Sequence, residues 1–395
     1  MGTQKPGISD DVAGDETQSA VLDRPAIPPV DEAAERAALE RQPTLTKPPG
    51  SLGRLEDLAV ALAGLTGDAR PDLADATVVV AAGDHGVVDR GVSAYPQAAT
   101  RAMLENFLNG GAAVNAIAGA VGAETLVVDA GISGDPVPDA LAVRIGAGTN
   151  DASRGPAMTR SDAVDAVEAG VRIAASEAEL AGADVVALGE MGIGNTTIAS
   201  AVTAALTDAS PAETTGYGTG IDDDELAHKV RVVEDALAAN GIDAGTGDSA
   251  GTLDAGAGDS AGTLDAGTDS ADTHDALDVL ARVGGFEIGV LAGVALGSAA
   301  DRTPVVVDGV ISGAAALLAD AIDPAVRPYL LPSHAGAEPA HAIQLDALDL
   351  EPLFEYDLRL GEGTGACLAL PIYRAACATH REMATFADIG LGRDG

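Results

Sequence analysis

Short runs rich in Val and Ala recur along the chain, alternate with longer Ala-rich stretches, and end in Gly-rich or polar turns. The runs at 77–82, 125–129, 184–188 and 304–308, with a fifth at 329–331, are too short for helices and show no apolar–polar alternation. That pattern predicts strands covered on both faces, as in a parallel sheet. Between them, the stretch 162–180 carries Val164, Val167, Val171 and Ala174/Ala175 on one helical face. Strand–helix alternation of this kind specifies an α/β fold with a mainly parallel sheet. Ligands of open α/β sheets bind beyond the carboxyl ends of the strands. Four run ends carry the polar segments: Gly83-Asp-His-Gly86, Asp129-Ala-Gly-Ile132, Gly189-Glu-Met-Gly-Ile-Gly-Asn-Thr-Thr197 and Asp308-Gly-Val-Ile-Ser312. Together they predict one composite site.

Composition narrows the partners. With 61 Asp and Glu against 22 Lys and Arg, the net charge is −39, a field that repels nucleic acid. Nine Phe and Tyr and no Trp leave few platforms for stacked bases. Yet 47% of the residues are hydrophobic, enough for a large core. Lysines stand only at 5, 47 and 229, and this scarcity, with the excess of acid, points to a cytoplasm of high salt, where screening offsets self-repulsion. The longest uncharged apolar stretch, 288–300, is too short to span a bilayer, and the N-terminus has no apolar signal core. The expectation is a cytoplasmic protein with no membrane partner. Cys367 and Cys377 fall in one predicted helix, spaced poorly for a disulfide, and nothing resembles a zinc cluster.

Two segments stand apart. Residues 1–30 are rich in Asp, Gly and Pro without periodicity, which predicts a disordered tail. In the middle, Gly-Asp-Ser-Ala-Gly-Thr-Leu-Asp-Ala-Gly occurs at 247–256 and again at 258–267, and one Leu per copy cannot build a core. The span 243–275 therefore reads as a flexible acidic insertion. Removing its eight Asp still leaves −31, so the acidity belongs to the whole chain.

The strongest local candidate is Gly192-Ile-Gly-Asn-Thr-Thr197, which follows a strand and opens an Ala-rich helix. Its glycines let backbone approach a ligand, and free N–H groups at a helix start favour an anion. Helix capping by Asn195 or the threonines is the competing reading. No Lys follows the glycines as a nucleoside-triphosphate loop demands, so phosphate binding fits and ATP hydrolysis does not. Thr215-Gly-Tyr-Gly-Thr-Gly220 is a second such loop, and Lys229 follows on a helix, either near the phosphate or merely solvated. In Gly361-Glu-Gly-Thr-Gly365 the glycines leave room for a ligand beside Glu362. That carboxylate is either a general base or a partner of the helix dipole. Asp84 and His85 lack a second His at ligand spacing and read as hydrogen-bonding scaffold.

Taken together these strings resemble the nicotinate-nucleotide–dimethylbenzimidazole phosphoribosyltransferases of cobalamin synthesis. The resemblance runs from Lys47-Pro-Pro-Gly-Ser-Leu-Gly-Arg-Leu-Glu56 through Ala82-Gly-Asp-His-Gly-Val-Val88, Gly91-Val-Ser-Ala-Tyr-Pro96, the 189–197 segment, Val283-Gly-Gly-Phe-Glu287 and Val307-Asp-Gly309. It continues in Pro328-Tyr-Leu-Leu-Pro-Ser-His334 and Leu360-Gly-Glu-Gly-Thr-Gly-Ala366, and so covers about 32–390 apart from the insertion.

The resemblance implies transfer of phosphoribose from nicotinate mononucleotide to 5,6-dimethylbenzimidazole, without cofactor or metal, in a homodimer. It implies Glu362 as catalytic base and Glu190 as a second acid that positions the ribose or steadies positive charge. Gly192, Gly194, Asn195, Thr196 and Thr197 would hold the 5′-phosphate, helped by Gly216, Gly218 and Lys229, and Tyr95 and Met103 would line the base pocket. The expected architecture is a Rossmann-like, mainly parallel sheet flanked by helices over 67–349, with a smaller helical domain from 31–66 and 350–395. The rival readings are the same transfer to another base, such as adenine or a phenol, and a non-catalytic nucleotide-binding protein of the same fold.

Overall fold

The computed structural model describes residues 21–176, 180, 182–218, 220–243 and 275–391. Six strands form the main sheet: β1 (Ala76–Gly83), β2 (Glu124–Gly131), β3 (Leu141–Ala142), β4 (Val185–Met191), β5 (Val305–Val307) and β6 (Leu330–Pro332). All neighbours pair in parallel, in the spatial order β3-β2-β1-β4-β5-β6. This is the doubly wound order of the Rossmann fold, whose direction of winding reverses between β1 and β4. The sequence expectation of an α/β fold with a Rossmann-like parallel sheet holds. A short parallel ribbon joins β7 (His334–Ala335) to β8 (Phe354–Glu355).

Thirteen α-helices lie among the described residues: α1 (Glu32–Arg41), α2 (Arg54–Thr66), α3 (Ala98–Leu108), α4 (Ala113–Val121), α5 (Arg160–Ala174), α6 (Asn195–Leu206), α7 (Pro211–Thr214), α8 (Asp223–Ala239), α9 (Ala276–Val283), α10 (Phe286–Ala300), α11 (Val310–Ile322), α12 (Pro339–Ala347) and α13 (Thr364–Glu382). The apolar stretch at 288–300 is the body of α10, which is buried from Phe286 to Ala299. Its glycines permit close packing on α5: a Cβ at Gly293 would lie 1.9 Å from the Val167 carbonyl oxygen, and one at Gly170 2.0 Å from that of Val290.

The helix expected over 162–180 is shorter and starts earlier. Thr159 caps it, accepting from the Asp162 N–H while Asp162 accepts from the Thr159 backbone. At the other end the Ala175 and Ser176 N–H groups turn back onto Val171 and Ile173 carbonyls, closing the last turn.

Of the tail expected over 1–30, residues 1–20 lie outside the described residues, whereas 21–30 are held in place. Leu22 is buried, the Arg24 guanidinium donates to the Ile322 carbonyl at 2.9 Å, and the Tyr329 hydroxyl donates to the Pro28 carbonyl at 2.9 Å. The apolar Leu22 and the carbonyl of Pro28 thus anchor a stretch whose composition alone reads as tail. The insertion at 243–275 lies outside the described residues except at its two ends.

N- and C-terminal segments meet. The Thr46 N–H donates to the Ala384 carbonyl at 3.0 Å, the Phe386 N–H to that of Thr44 at 2.8 Å, and Arg41 Nε to that of His380 at 2.9 Å. Arg374 of α13 reaches the carbonyls of Leu73 and Ala74, just before β1, and of Val121 and Gly122, at the end of α4. A cation suits a helix C-terminus, where unpaired carbonyls gather. The last helix is thereby fastened to the sheet. Cys367 and Cys377 are both buried in it as free thiols.

Candidate active site

The reversal of strand order opens a crevice beyond the carboxyl ends of β1 and β4. β1 ends at Gly83 before Asp84 and His85, β4 carries Glu190, β5 leads into Asp308, and β6 leads through Ser333 to His334. A cleft of about 420 Å³ lies there, with Glu190, Asp308, Glu338 and Glu362 among its polar walls and Met103, Ile193, Val310 and Leu360 among its apolar ones. Of the four run ends expected to meet here, those at 189–197 and 308–312 line the cleft, whereas those at 83–86 and 129–132 are not among its walls.

Glu362 sits in a turn of three consecutive left-handed residues, with φ of 82° at Gly361, 64° at Glu362 and 89° at Gly363. That region is uncommon for a side-chain-bearing residue and is found where surrounding contacts enforce it. Here they are visible. Asp308 accepts from the N–H of Gly363 at 3.2 Å and of Ala366 at 2.9 Å, clamping the start of α13. The Val114 N–H donates to the Glu362 carboxylate at 3.3 Å.

The glycines around Glu362 correct the sequence reading, which gave their space to a ligand. A Cβ on Gly361 would lie 2.2 Å from Glu190 Oε1, and one on Gly363 2.8 Å from a Val78 methyl. On the facing strand, a Cβ on Gly189 would lie 2.4 Å from the Glu362 carbonyl oxygen. The glycines make room for the protein's own strand and its second acid.

Electrostatics follow from this crowding. Burial raises the Glu190 carboxyl to about 8, with further push from Asp308, Glu287 and Glu362. Burial also raises Asp308 to about 7, against the pull of backbone N–H groups from Ala366, Gly363, Gly365 and Gly309. Glu362 is raised above the ordinary carboxylate range by burial, with the Val114 N–H opposing. An acid raised in this way can serve as a general base near neutrality.

The other loop has a different character. A small pocket of about 30 Å³ adjoins the main cleft, and Gly192, Gly194, Asn195, Thr196 and Lys229 are among its walls. Lys229 is buried in α8, and its ammonium donates to Thr196 Oγ1 at 2.8 Å and to the Gly216 carbonyl at 2.9 Å. Burial lowers the Lys229 ammonium to about 8, with the Glu338 charge opposing. It therefore remains mainly protonated at neutral pH. Gly218 lines the main cleft, and its N–H donates to Glu338 at 2.9 Å.

The expected backbone cradle is only partly open. The Ile193 N–H is taken by Thr100 Oγ1, that of Asn195 by the Gly192 carbonyl, and that of Thr197 by the Gly194 carbonyl. The Asn195 amide donates to Glu190, and Thr197 is buried outside the walls of both pockets. Gly216 lines neither pocket and acts here through its carbonyl. Tyr95 and Met103 both line the main cleft, Tyr95 largely exposed and Met103 half-buried on α3.

Asp84 and His85 serve as scaffold. His85 Nε2 lies 3.1 Å from Glu287 Oε1, both fully buried, and Asp84 accepts from the Ser133 N–H at 2.8 Å. Burial alone would lower the His85 imidazole, but Glu287 and Asp84 outweigh it and raise it. The polar cleft walls that sequence reasoning missed are Glu338, His341 and Arg359, while Asp308 and His334 stood within strings it singled out but were given no role. Asp308 left its signal as the polar residue at the end of a strand run, and His334 as the close of the Pro328–His334 string. Burial lowers His334 to about 4 and His341 to about 3, so both are neutral near pH 7.

Comparison with known proteins gives the family and the fold. A family model described as "Phosphoribosyltransferase" matches residues 27–266 and 242–391. A nicotinate-nucleotide–dimethylbenzimidazole phosphoribosyltransferase of Roseiflexus sp. (strain RS-1) is 49% identical over 92% of this chain and 96% of its own. That of Desulforudis audaxviator is 48% identical over 93% of this chain and 96% of its own. The crystal structure of CobT from Thermus thermophilus is 42% identical, covers 91% of this chain and 99% of its own, and gives a TM-score of 0.79. The chain therefore belongs to the phosphoribosyltransferase family whose members are named nicotinate-nucleotide–dimethylbenzimidazole phosphoribosyltransferases.

Proposed function

We propose that the chain transfers phosphoribose from nicotinate mononucleotide to 5,6-dimethylbenzimidazole, releasing nicotinate and forming α-ribazole 5′-phosphate. The observation that carries this reading is Glu362, a buried carboxyl held in a left-handed turn on a cleft that adjoins a lysine-walled pocket. In this reading the 5′-phosphate enters beside Lys229 and Thr196, and Tyr95 and Met103 meet the incoming base. Glu362 takes the N–H proton of the benzimidazole while its other nitrogen attacks C1′ from the face opposite nicotinate, inverting β to α. The electron pair of the C1′–N bond returns to the pyridinium nitrogen, so nicotinate leaves neutral at that atom and needs no strong acid. Glu190, protonated near neutrality, donates to a ribose hydroxyl, and positive charge developing at C1′ favours its ionised form. Alignment of two planar rings across C1′ supplies most of the acceleration. We further propose that the protein acts as a homodimer in the cytoplasm and that its acidic surface is an adaptation to salt.

The test is incubation in concentrated KCl with nicotinate mononucleotide and 5,6-dimethylbenzimidazole, following nicotinate by chromatography. Release that depends on the benzimidazole is the expected result, and none from folded protein overturns the reading. A panel including adenine and phenols decides which base is preferred.

A further inference from the structure

The main cleft is walled by four carboxyl groups, those of Glu190, Asp308, Glu338 and Glu362. Lys229 lines only the small adjoining pocket. Among the described residues, the one Lys or Arg lining the main cleft is Arg359. It is exposed and has no ion-pair or hydrogen-bond partner among the described residues. Its backbone is nevertheless tied down. The Ala337 N–H donates to the Leu358 carbonyl at 3.1 Å, pinning this segment across the cleft, and the Glu362 turn begins two residues later.

Nicotinate mononucleotide carries two anionic groups, a phosphate and a ring carboxylate. Lys229 accounts for one. The other meets no second cation on the cleft wall apart from Arg359, because His334 and His341 are neutral near pH 7. An unpaired guanidinium beside the turn of the catalytic base supplies what is missing, because its planar fork matches a carboxylate through two parallel hydrogen bonds.

We propose that Arg359 is a specificity-determining residue that receives the ring carboxylate of nicotinate mononucleotide and so selects the acid nucleotide over its amide counterpart. The proposal rests on the function given above. An amide cannot complete the charged pair, so the site discriminates between two nucleotides alike in every other atom that matters to phosphate and ribose binding.

The experiment compares wild type, Arg359→Gln and Arg359→Lys with nicotinate mononucleotide and nicotinamide mononucleotide as alternative donors. Wild type is expected to prefer the acid. Arg359→Gln should lower kcat/KM for the acid about 10- to 100-fold more than for the amide, and Arg359→Lys should fall between. Equal loss with both donors would place Arg359 on the phosphate and overturn the proposal, as would an unchanged preference or a wild type with none. Calorimetric titration with free nicotinate and nicotinamide reads the same contact without turnover. A chain that released no nicotinate but lost its selective binding of nicotinate in Arg359→Gln would sink the function and leave this contact standing.

Discussion

The turn that opens α6 and the turn that opens α13 are both glycine-rich, and both lead into helices with buried bodies. Each holds a crowded glycine, Gly192 against the Gly83 carbonyl oxygen in the first, but they differ in what surrounds the left-handed glycines. Before α6, a Cβ on Gly194 would meet Val87 at 3.5 Å, an ordinary contact, so this glycine answers to its φ of 92° alone. Before α13, Gly361 answers both to its φ of 82° and to a carboxylate oxygen 2.2 Å from where a Cβ would stand. The first turn adjoins a pocket whose charge is a lysine. The second crowds three acids, each with a raised pKa. Similar sequence texture therefore lies beside opposite electrostatics: one turn adjoins a pocket walled by a buried ammonium, the other packs carboxyls whose proton affinity is raised.

The largest effect that would break this contrast belongs to the acidic turn. Glu362→Gln should lower kcat about 10²- to 10⁴-fold with little change in KM, measured by nicotinate release. Equal rates for variant and wild type would remove Glu362 from the chemistry. On the cationic side, Lys229→Met should act mainly on binding, raising KM for the nucleotide about 10- to 100-fold. Because Lys229 is lowered to about 8, wild-type KM should also climb as pH rises through that value and the ammonium is lost. A KM flat from pH 7 to 9 would detach the lysine from the phosphate.

Much of this was legible beforehand. Strand runs, their order of appearance and the polar segments at their ends follow from local composition, because buried parallel strands leave continuous apolar text. The pairing of Glu190 with Glu362 was not legible from spacing. Their residues come from β4 and from the turn before α13, and only close packing at Gly189 and Gly361 brings them together. Asp308 was readable as a strand end, but its hold on the Gly363 and Ala366 N–H groups depends on that same long-range packing. The glycines were read as room for a ligand because sequence shows that a side chain is missing, and not what occupies its place.

A glycine pair sharpens the contrast at smaller scale. Gly194→Ala should cost about 1–2 kcal/mol, the conformational term alone. Gly361→Ala adds overpacking against Glu190, for a total of about 2–5 kcal/mol, read from denaturant midpoints. Equal costs would mean that the acid pair yields easily. The most gradual expected effect is on the pH dependence of stability. Glu190 is raised from 4.5 to about 8 on folding, so between those values the folded chain binds more protons than the unfolded one. Stability should therefore fall as pH rises through that window, by at most about 1.4 kcal/mol per pH unit for one group. Glu190→Gln should make the fall shallower, leaving the part due to Asp308. A slope unchanged by the substitution would argue that Glu190 titrates normally.

Glu362, the proposed base, stands just before α13, the last of the described helices, whose far end is fastened to the first by Arg41. During synthesis the sheet strands, the lysine and the second acid all leave the ribosome before Glu362 does. Domains fold as units while they emerge, but contacts between distant parts of a chain wait for both partners. The carboxyl proposed as the base is therefore set by contacts distant in sequence, from Val114 and Asp308, and is in place only once the start of α13 has packed against them.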